Sequence, residues 1–141
     1  MPGFEIIDKK ERKAINDLFL FGPVLSSTGA SPLRKHFHVR EFEKEICKKF
    51  KSKYTLAVTS GTAAIKIALK SLGVKRGDEV ITPSNSYVAS TGSIVHLGAK
   101  PVFVDVLPDQ NIDPTEIEKK ITKKTKAIMP VHLTGRPCQM D

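Results

Sequence analysis

Small residues at positions 60–64 could form an anion-binding turn. The run Ser60-Gly61-Thr62-Ala63-Ala64 follows a short apolar segment and opens a stretch with helical spacing. The first backbone N–H groups of a helix have no intrahelical acceptor, and they carry the positive end of the helix dipole. A phosphate can accept hydrogen bonds from them, and glycine lets it approach the backbone closely. Gly61, Thr62 and Ala63 are therefore candidate phosphate ligands.

The same residues are also ordinary helix-capping residues. Ser60 or Thr62 can accept a hydrogen bond from a backbone N–H of the first turn, as Ser and Thr do in many helices. The run has neither the Gly-Lys-Ser/Thr of a Walker loop nor the G-x-G-x-x-G spacing of a dinucleotide fingerprint. The local sequence therefore leaves phosphate binding and simple capping both open.

Two further side chains follow predicted strands. Tyr87 comes after Pro83-Ser84-Asn85-Ser86, and His132 comes after the last predicted strand. Ligands of open α/β sheets gather at the carboxyl ends of the strands. The Tyr87 ring could cover a flat ring attached to the phosphate, or it could pack on a helix. For His132 a hydrogen-bonded structural role and a catalytic role are both open.

Strands and helices alternate along the chain. Helices are predicted over 9–20, 38–51, 62–72, 87–97 and 113–121, and strands over 54–59, 79–82, 101–106 and 127–131. Residues 22–36, rich in Gly, Pro and Ser, are expected to form a loop or an extended arm. The alternation is typical of an α/β protein with three layers, in which helices flank a mainly parallel sheet.

The composition is that of one ordinary domain. The chain has 141 residues, 40% of them hydrophobic, with no run near the roughly 20 apolar residues that cross a bilayer. Its N-terminus lacks the apolar core of a signal peptide. We expect a cytoplasmic protein without membrane contact. The two cysteines, Cys47 and Cys138, have no metal-ligand spacing, so no metal site is expected, and Cys47 is predicted to be a packed core thiol.

The net charge of +8 permits a basic nucleic-acid-binding domain. However, the lysines are scattered along predicted helices, without interleaved aromatic residues or a zinc-finger pattern. Solvated helix faces account for these lysines without a nucleic acid, and attraction of an anionic ligand such as a nucleotide is the functional alternative. We therefore expect no nucleic-acid partner.

Five short motifs occur in an order that resembles one protein family. They are Val39–Glu43, Val58–Ala64, Gly77–Pro83, Gly98–Val106 and Pro130–Gly135. Together they resemble the sugar-nucleotide aminotransferases of the DegT type, from about Gly22 to the last residue. The resemblance implies a pyridoxal 5'-phosphate (PLP) enzyme of fold type I. It makes residues 1–36 an N-terminal helix and arm, and residues 37–141 a truncated PLP-binding large domain.

The resemblance also implies roles for particular residues. In that family the Gly-Thr-Ala turn holds the cofactor phosphate and an aromatic side chain stacks on the pyridine ring; these positions fall on Gly61, Thr62, Ala63 and Tyr87. It implies a homodimer, in which residues near 22–29 approach the active site of the partner subunit. The implied reaction transfers an amino group, typically from glutamate, to a nucleotide-linked keto-sugar for polysaccharide, lipopolysaccharide or secondary-metabolite biosynthesis. Members that dehydrate instead remain an alternative.

By the same resemblance, two catalytic groups are expected downstream of Asp141. They are the lysine that forms the Schiff base and the acidic residue that pairs with the pyridine nitrogen. No catalytic residue is therefore assigned within this chain, which is expected to be inactive alone. The alternative interpretation is a non-catalytic remnant or interaction module that keeps the cofactor-domain fold.

Overall fold

The computed structural model describes residues 6–20 and 37–141, which belong to two compact units, residues 1–57 and 58–141. The first unit contains the helices α1 (Lys9–Leu20) and α2 (His38–Phe50). The second contains α3 (Gly61–Ser71), β1 (Glu79–Pro83), α4 (Val88–His96), β2 (Lys100–Val104), α5 (Pro114–Lys120), β3 (Thr125–Ile128) and a 3₁₀ turn (Leu133–Gly135). Among the described residues, no helix is both long and apolar enough to span a membrane.

In the first unit, α2 is hydrogen-bonded to the segment that follows it. A carboxylate oxygen of Glu43 accepts a hydrogen bond from the backbone N–H of Ala57 at 2.8 Å, and Cys47 Sγ lies 3.1 Å from Thr55 Oγ1. Cys47 is only partly buried. The prediction that Cys47 is a packed core thiol is therefore wrong, since the sulfur is only partly buried and contacts a hydroxyl group.

The predicted strand over 54–59 is wrong. These residues have no regular secondary structure, and none of the three described strands pairs with them. Tyr54 and Leu56 are 79% and 67% exposed. A short, mostly apolar segment becomes a strand only where a neighbouring strand supplies hydrogen-bond partners, and the described residues supply none here.

The second unit is built on a parallel sheet with the strand order β2-β1-β3. Glu79 pairs with Lys100 of β2 and with Thr125 of β3. In the β1–β3 pairing the register shifts by one residue after Glu79, so that Val80 pairs with Ala127. Every residue of β1 is buried, as expected of a central parallel strand with both faces covered. The prediction of a mainly parallel sheet is confirmed.

Two apolar clusters cover opposite faces of this sheet. One face packs Val80 against Leu69 of α3 and Ile94 of α4. The other packs Ile81 against Ile112 and Cys138, with Ile117 of α5 beside them. Because successive strand residues point to opposite faces, Val80 and Ile81 divide the unit into three layers. The predicted α/β architecture with helices on both faces is thereby confirmed.

The five predicted helices are all present, with ends shifted by one residue at most. Asp113 caps α5 as expected, since its carboxylate accepts the backbone N–H of Thr115 at 2.9 Å while Pro114 takes the first helical position. The last strand ends at Ile128, earlier than predicted, two residues before Pro130, which has no N–H to donate. The predicted arm over 22–36 lies outside the described residues, so the domain boundary after residue 36 stays a prediction.

One carboxylate joins the amino ends of the strands. Glu79 is 8% exposed; it accepts a hydrogen bond from Thr122 Oγ1 at 2.6 Å and from Lys100 Nζ at 3.4 Å. The hydrogen bond from the Thr122 hydroxyl makes the largest contribution to lowering the pKa of Glu79, and the Lys100 ammonium lowers that pKa further. The ionised carboxylate is therefore favoured in the folded state.

This arrangement predicts a pH-dependent contribution to stability. Thr122→Val removes the hydroxyl, so we expect a lower free energy of unfolding above the ordinary glutamate pKa of about 4.3. Because the folded-state pKa is lowered, the difference from wild type should shrink as pH falls through that pKa. Urea unfolding from pH 3 to pH 7 measures it. Thr122→Ser keeps the hydroxyl and should resemble wild type, whereas a difference independent of pH would contradict the assignment.

Candidate functional site

Ser60 starts α3 and satisfies two of its first donors. Its backbone is extended, its Oγ accepts the N–H of Ala63 at 3.1 Å, and its carbonyl accepts the N–H of Ala64 at 3.0 Å. The capping role weighed from the sequence is therefore present. The N–H groups of Gly61 and Thr62 have no acceptor among the described residues. Capping and ligand binding are thus compatible, because they use different donors.

The space in front of this turn is open. A Cβ added to Gly61 would meet no atom within 4 Å, and both Gly61 and Thr62 are exposed. The first turn of α3 contains no acidic residue, so no carboxylate offsets the positive end of the helix. Two free donors, a helix dipole and open access fit a phosphate group. We call residues 60–63 the anion turn.

Tyr87 lies at the start of the helix that packs against α3. It is the residue preceding α4, and its side chain is 75% exposed. The two helices are in contact, and Ser93 Oγ of α4 donates to the carbonyl of Thr62 at 3.4 Å. Because three quarters of its side chain is exposed, the Tyr87 ring is accessible to a ligand.

Hydrogen bonds hold the loop that carries Tyr87. The N–H of Ser84 donates to the carbonyl of Val104 at 2.8 Å, which extends the β1–β2 pairing by one step. Asn85 Nδ2 donates to Gln110 Oε1 at 2.8 Å, and Ser86 Oγ lies 2.9 Å from Ser90 Oγ. Gln110 carried no signal in the sequence, because its contact joins residues 25 positions apart.

His132 has the structural role that was one of its two alternatives. Its Nδ1 accepts the backbone N–H of Cys138 at 2.9 Å, and Cys138 Sγ donates to the carbonyl of Val131 at 3.1 Å. An Nδ1 acceptor puts the proton of the neutral ring on Nε2. The prediction that His132 follows the last strand at the carboxyl edge is confirmed, since it lies four residues after β3.

Asn111 is a second residue that the sequence did not single out. It is 2% exposed; its Nδ2 donates to the carbonyl of Pro137 at 3.1 Å and its Oδ1 accepts the N–H of Leu133 at 3.3 Å. Both bonds reach the loop around His132. A buried asparagine with every polar atom paired fixes the groups that it contacts.

The described residues include no desolvated lysine and no metal-binding cluster. In the described ranges, 6–20 and 37–141, every lysine is exposed, and none has the desolvated surroundings that activate a lysine nucleophile. In the same ranges no cluster of His, Cys, Asp and Glu could hold a metal ion. The described groups that suit a ligand are therefore the two free N–H donors of the anion turn and the exposed ring of Tyr87.

Known proteins share both the sequence and this architecture. Residues 25–141 match the DegT/DnrJ/EryC1/StrS aminotransferase family. A GDP-perosamine synthase from Escherichia coli O157:H7 is 40% identical over 133 residues, which are 94% of this chain and 34% of that protein. The aminotransferase from Psychrobacter cryohalolentis superimposes with a TM-score of 0.82 at 38% identity, and the match covers 97% of this chain and 32% of the aminotransferase chain.

A further solved structure contains a cofactor. NtdA from Bacillus subtilis, solved with bound PMP, superimposes with a TM-score of 0.79 at 37% identity, over 95% of this chain and 30% of that one. The chain spans about a third of the length of the curated relatives that it matches.

The anion turn predicts a response to inorganic phosphate. Titration followed by ¹⁵N NMR should shift the backbone amide signals of Gly61 and Thr62. Gly61→Pro removes one N–H at a helical position that proline tolerates, after a Ser60 backbone that is already extended. It should weaken phosphate binding roughly tenfold or more, since a hydrogen bond to a charged group contributes about 1.5–3 kcal/mol.

Gly61→Ala is the matched control. It keeps the N–H and adds a methyl group in open space, so phosphate binding should stay close to that of the wild type. Equal losses in the two variants would mean that access, and not the N–H, determines binding. Unshifted amides in the wild-type chain would contradict the anion turn itself.

Proposed function

The chain belongs to the DegT/DnrJ/EryC1/StrS aminotransferase family, and from this premise we propose that it forms the phosphate-binding part of a PLP-dependent sugar aminotransferase. The family is PLP-dependent, and a solved relative holds PMP, the amino form of the cofactor. One observation supports the proposal most directly. The N–H groups of Gly61 and Thr62 have no acceptor among the described residues, and both residues are exposed.

In this proposal the anion turn binds the cofactor phosphate. Gly61 and Thr62 donate their free N–H groups to its oxygens, and Ala63 is a third donor that shares its N–H with Ser60 Oγ. The Ser60 hydroxyl, which accepts that bond, still has its own proton to donate. A doubly charged ester is thus held by backbone donors at the end of a helix without a lysine or an arginine.

Tyr87 has the second role. Its ring is exposed and would stack on one face of the pyridine ring, where it would orient the cofactor and exclude water from that face. PLP, when bound, supplies the electron sink that lets an amino group leave one substrate and join another. The hydrogen bonds of Ser84 and Asn85 keep the Tyr87 loop in place.

We infer that the amino group passes, with glutamate as donor, to a keto-sugar linked to a nucleotide. The identified relative in Escherichia coli is a GDP-perosamine synthase, whose name contains a nucleotide-linked amino sugar. The net charge of +8 favours the approach of an anionic nucleotide. The product would enter polysaccharide, lipopolysaccharide or secondary-metabolite synthesis, and the working enzyme would be a homodimer.

A non-catalytic module that keeps the cofactor fold is the second candidate. The observation that favours it is the exposure of every described lysine. Such a module would bind the cofactor phosphate or a similar anion without forming a covalent bond to it.

Cofactor binding tests the role of Tyr87. The chain is equilibrated with PLP, and bound cofactor is measured by ultrafiltration. Tyr87→Ala should weaken binding about two- to tenfold, because a stacked aromatic contact contributes about 0.5–1.5 kcal/mol. Tyr87→Phe keeps the ring and should bind like wild type. Tyr54→Ala, at the exposed tyrosine of the first unit, is the control, and equal affinity in Tyr87→Ala and wild type would refute stacking.

Covalent attachment separates the two candidates. Treatment of the PLP-loaded 141-residue chain with borohydride should label no single lysine stoichiometrically, because the described lysines are all solvated and none is favoured over the others. In a longer protein that carries this chain, one lysine outside residues 1–141 should be labelled, and glutamate plus a nucleotide-linked keto-sugar should yield 2-oxoglutarate. A single labelled lysine within residues 1–141 would contradict the assignment. A longer protein without labelling or amino transfer would favour the non-catalytic module.

A further inference from the structure

Residues 105–113 form a short hairpin that leaves the carboxyl end of β2 and returns to the sheet. Val106 and Ile112 form an antiparallel bridge, and the N–H of Leu107 donates to the carbonyl of Asn111 at 2.8 Å. Ile112 is 5% exposed and packs in the apolar cluster of Ile81. The 105–113 hairpin is therefore anchored in the core, and its tip lies beyond the edge where β2 ends.

Two adjacent residues at the tip contact two different loops. Gln110 Oε1 accepts the bond from Asn85 Nδ2, in the loop that leads to Tyr87. Asn111 contacts the loop that contains His132, through its bonds to Leu133 and Pro137. The tip thus connects the segment that follows β1, the central strand, with the segment that follows β3, the edge strand beside it.

The tip also has a backbone that is unfavourable for its residue types. Gln110 has a φ of 71°, in the left-handed region that favours glycine. One carboxylate oxygen of Asp109 accepts the backbone N–H of Asn111, and the other accepts its Nδ2, at 3.0 Å each. Together they hold the Asn111 side chain in one orientation. The side chain of Gln110 makes a hydrogen bond that a glycine at this position could not make.

We propose that Gln110 is a positioning residue, which holds the Tyr87 loop in place for ligand binding. The inference rests on the proposed function, since a fixed Tyr87 matters when a flat ring is stacked on it. Loops ordered before the ligand arrives lose less conformational entropy when it binds. Gln110 therefore raises cofactor affinity without touching the cofactor.

Three substitutions at Gln110 separate positioning from stability. Gln110→Ala loses the acceptor and keeps the unfavourable φ, while Gln110→Gly loses the acceptor but relieves the φ, so it should melt at a higher temperature than Gln110→Ala. Both should weaken PLP binding about two- to tenfold, the range expected for one hydrogen bond. Gln110→Glu keeps an oxygen acceptor for Asn85 and should restore PLP binding. Gln139→Ala is the control at another exposed glutamine.

Amide hydrogen exchange of residues 85–88 in the ligand-free chain is the second measurement. It should accelerate in Gln110→Ala, in Gln110→Gly and in Asn85→Ala, and adding Asn85→Ala to Gln110→Ala should change nothing further, because one bond has already been lost. Exchange that stays at the wild-type rate would overturn the inference. So would a PLP affinity that follows the melting temperature across the Gln110 variants, since that is the behaviour of a purely structural residue.

Failure of the proposed function gives a different result. A wild-type chain that does not bind PLP would refute the cofactor assignment, while the exchange rates would still decide whether Gln110 holds the loop. Accelerated exchange in the variants would then support the positioning role for another ligand of the same edge.

Discussion

The architecture of the second unit depends on the pairing of β1 with a parallel strand on each side. Every residue of this strand is buried, and a buried strand must satisfy its N–H and C=O groups through its neighbours. Pairing with β2 and β3 does so. It also sends the chain segments after all three strands to one edge of the sheet, where Tyr87 and His132 lie.

Buried polar side chains in this unit are held by hydrogen bonds, whereas the first two N–H donors of α3 are not. Among the described residues, no buried side-chain nitrogen or oxygen lacks a hydrogen-bond partner. Glu79 at the amino ends of the strands and Asn111 beyond their carboxyl ends are each bonded to at least two other groups. Against this background the free N–H groups of Gly61 and Thr62 are exposed donors, which cost little in water and are available to an anion.

The two ends of the sheet differ in the side chains that connect its strands. At the amino ends, a buried carboxylate and its partners connect β1 to the start of β2 and to the turn before β3. At the carboxyl ends, the 105–113 hairpin connects two loops that carry the exposed side chains of Tyr87 and His132. In open α/β sheets this is the end at which ligands bind.

The sequence by itself determined the helices, the α/β class and the capped start of α3, because helical periodicity and capping residues act over a few residues. Ser60, Asp113 and Pro114 specify their helix ends locally. Tertiary structure alone decided that residues 54–59 do not join the described sheet, and that Gln110 and Asn111 hold loops 22 to 26 positions away. Strand pairing and buried side-chain bonds depend on which distant segments meet, and no spacing within one segment encodes that.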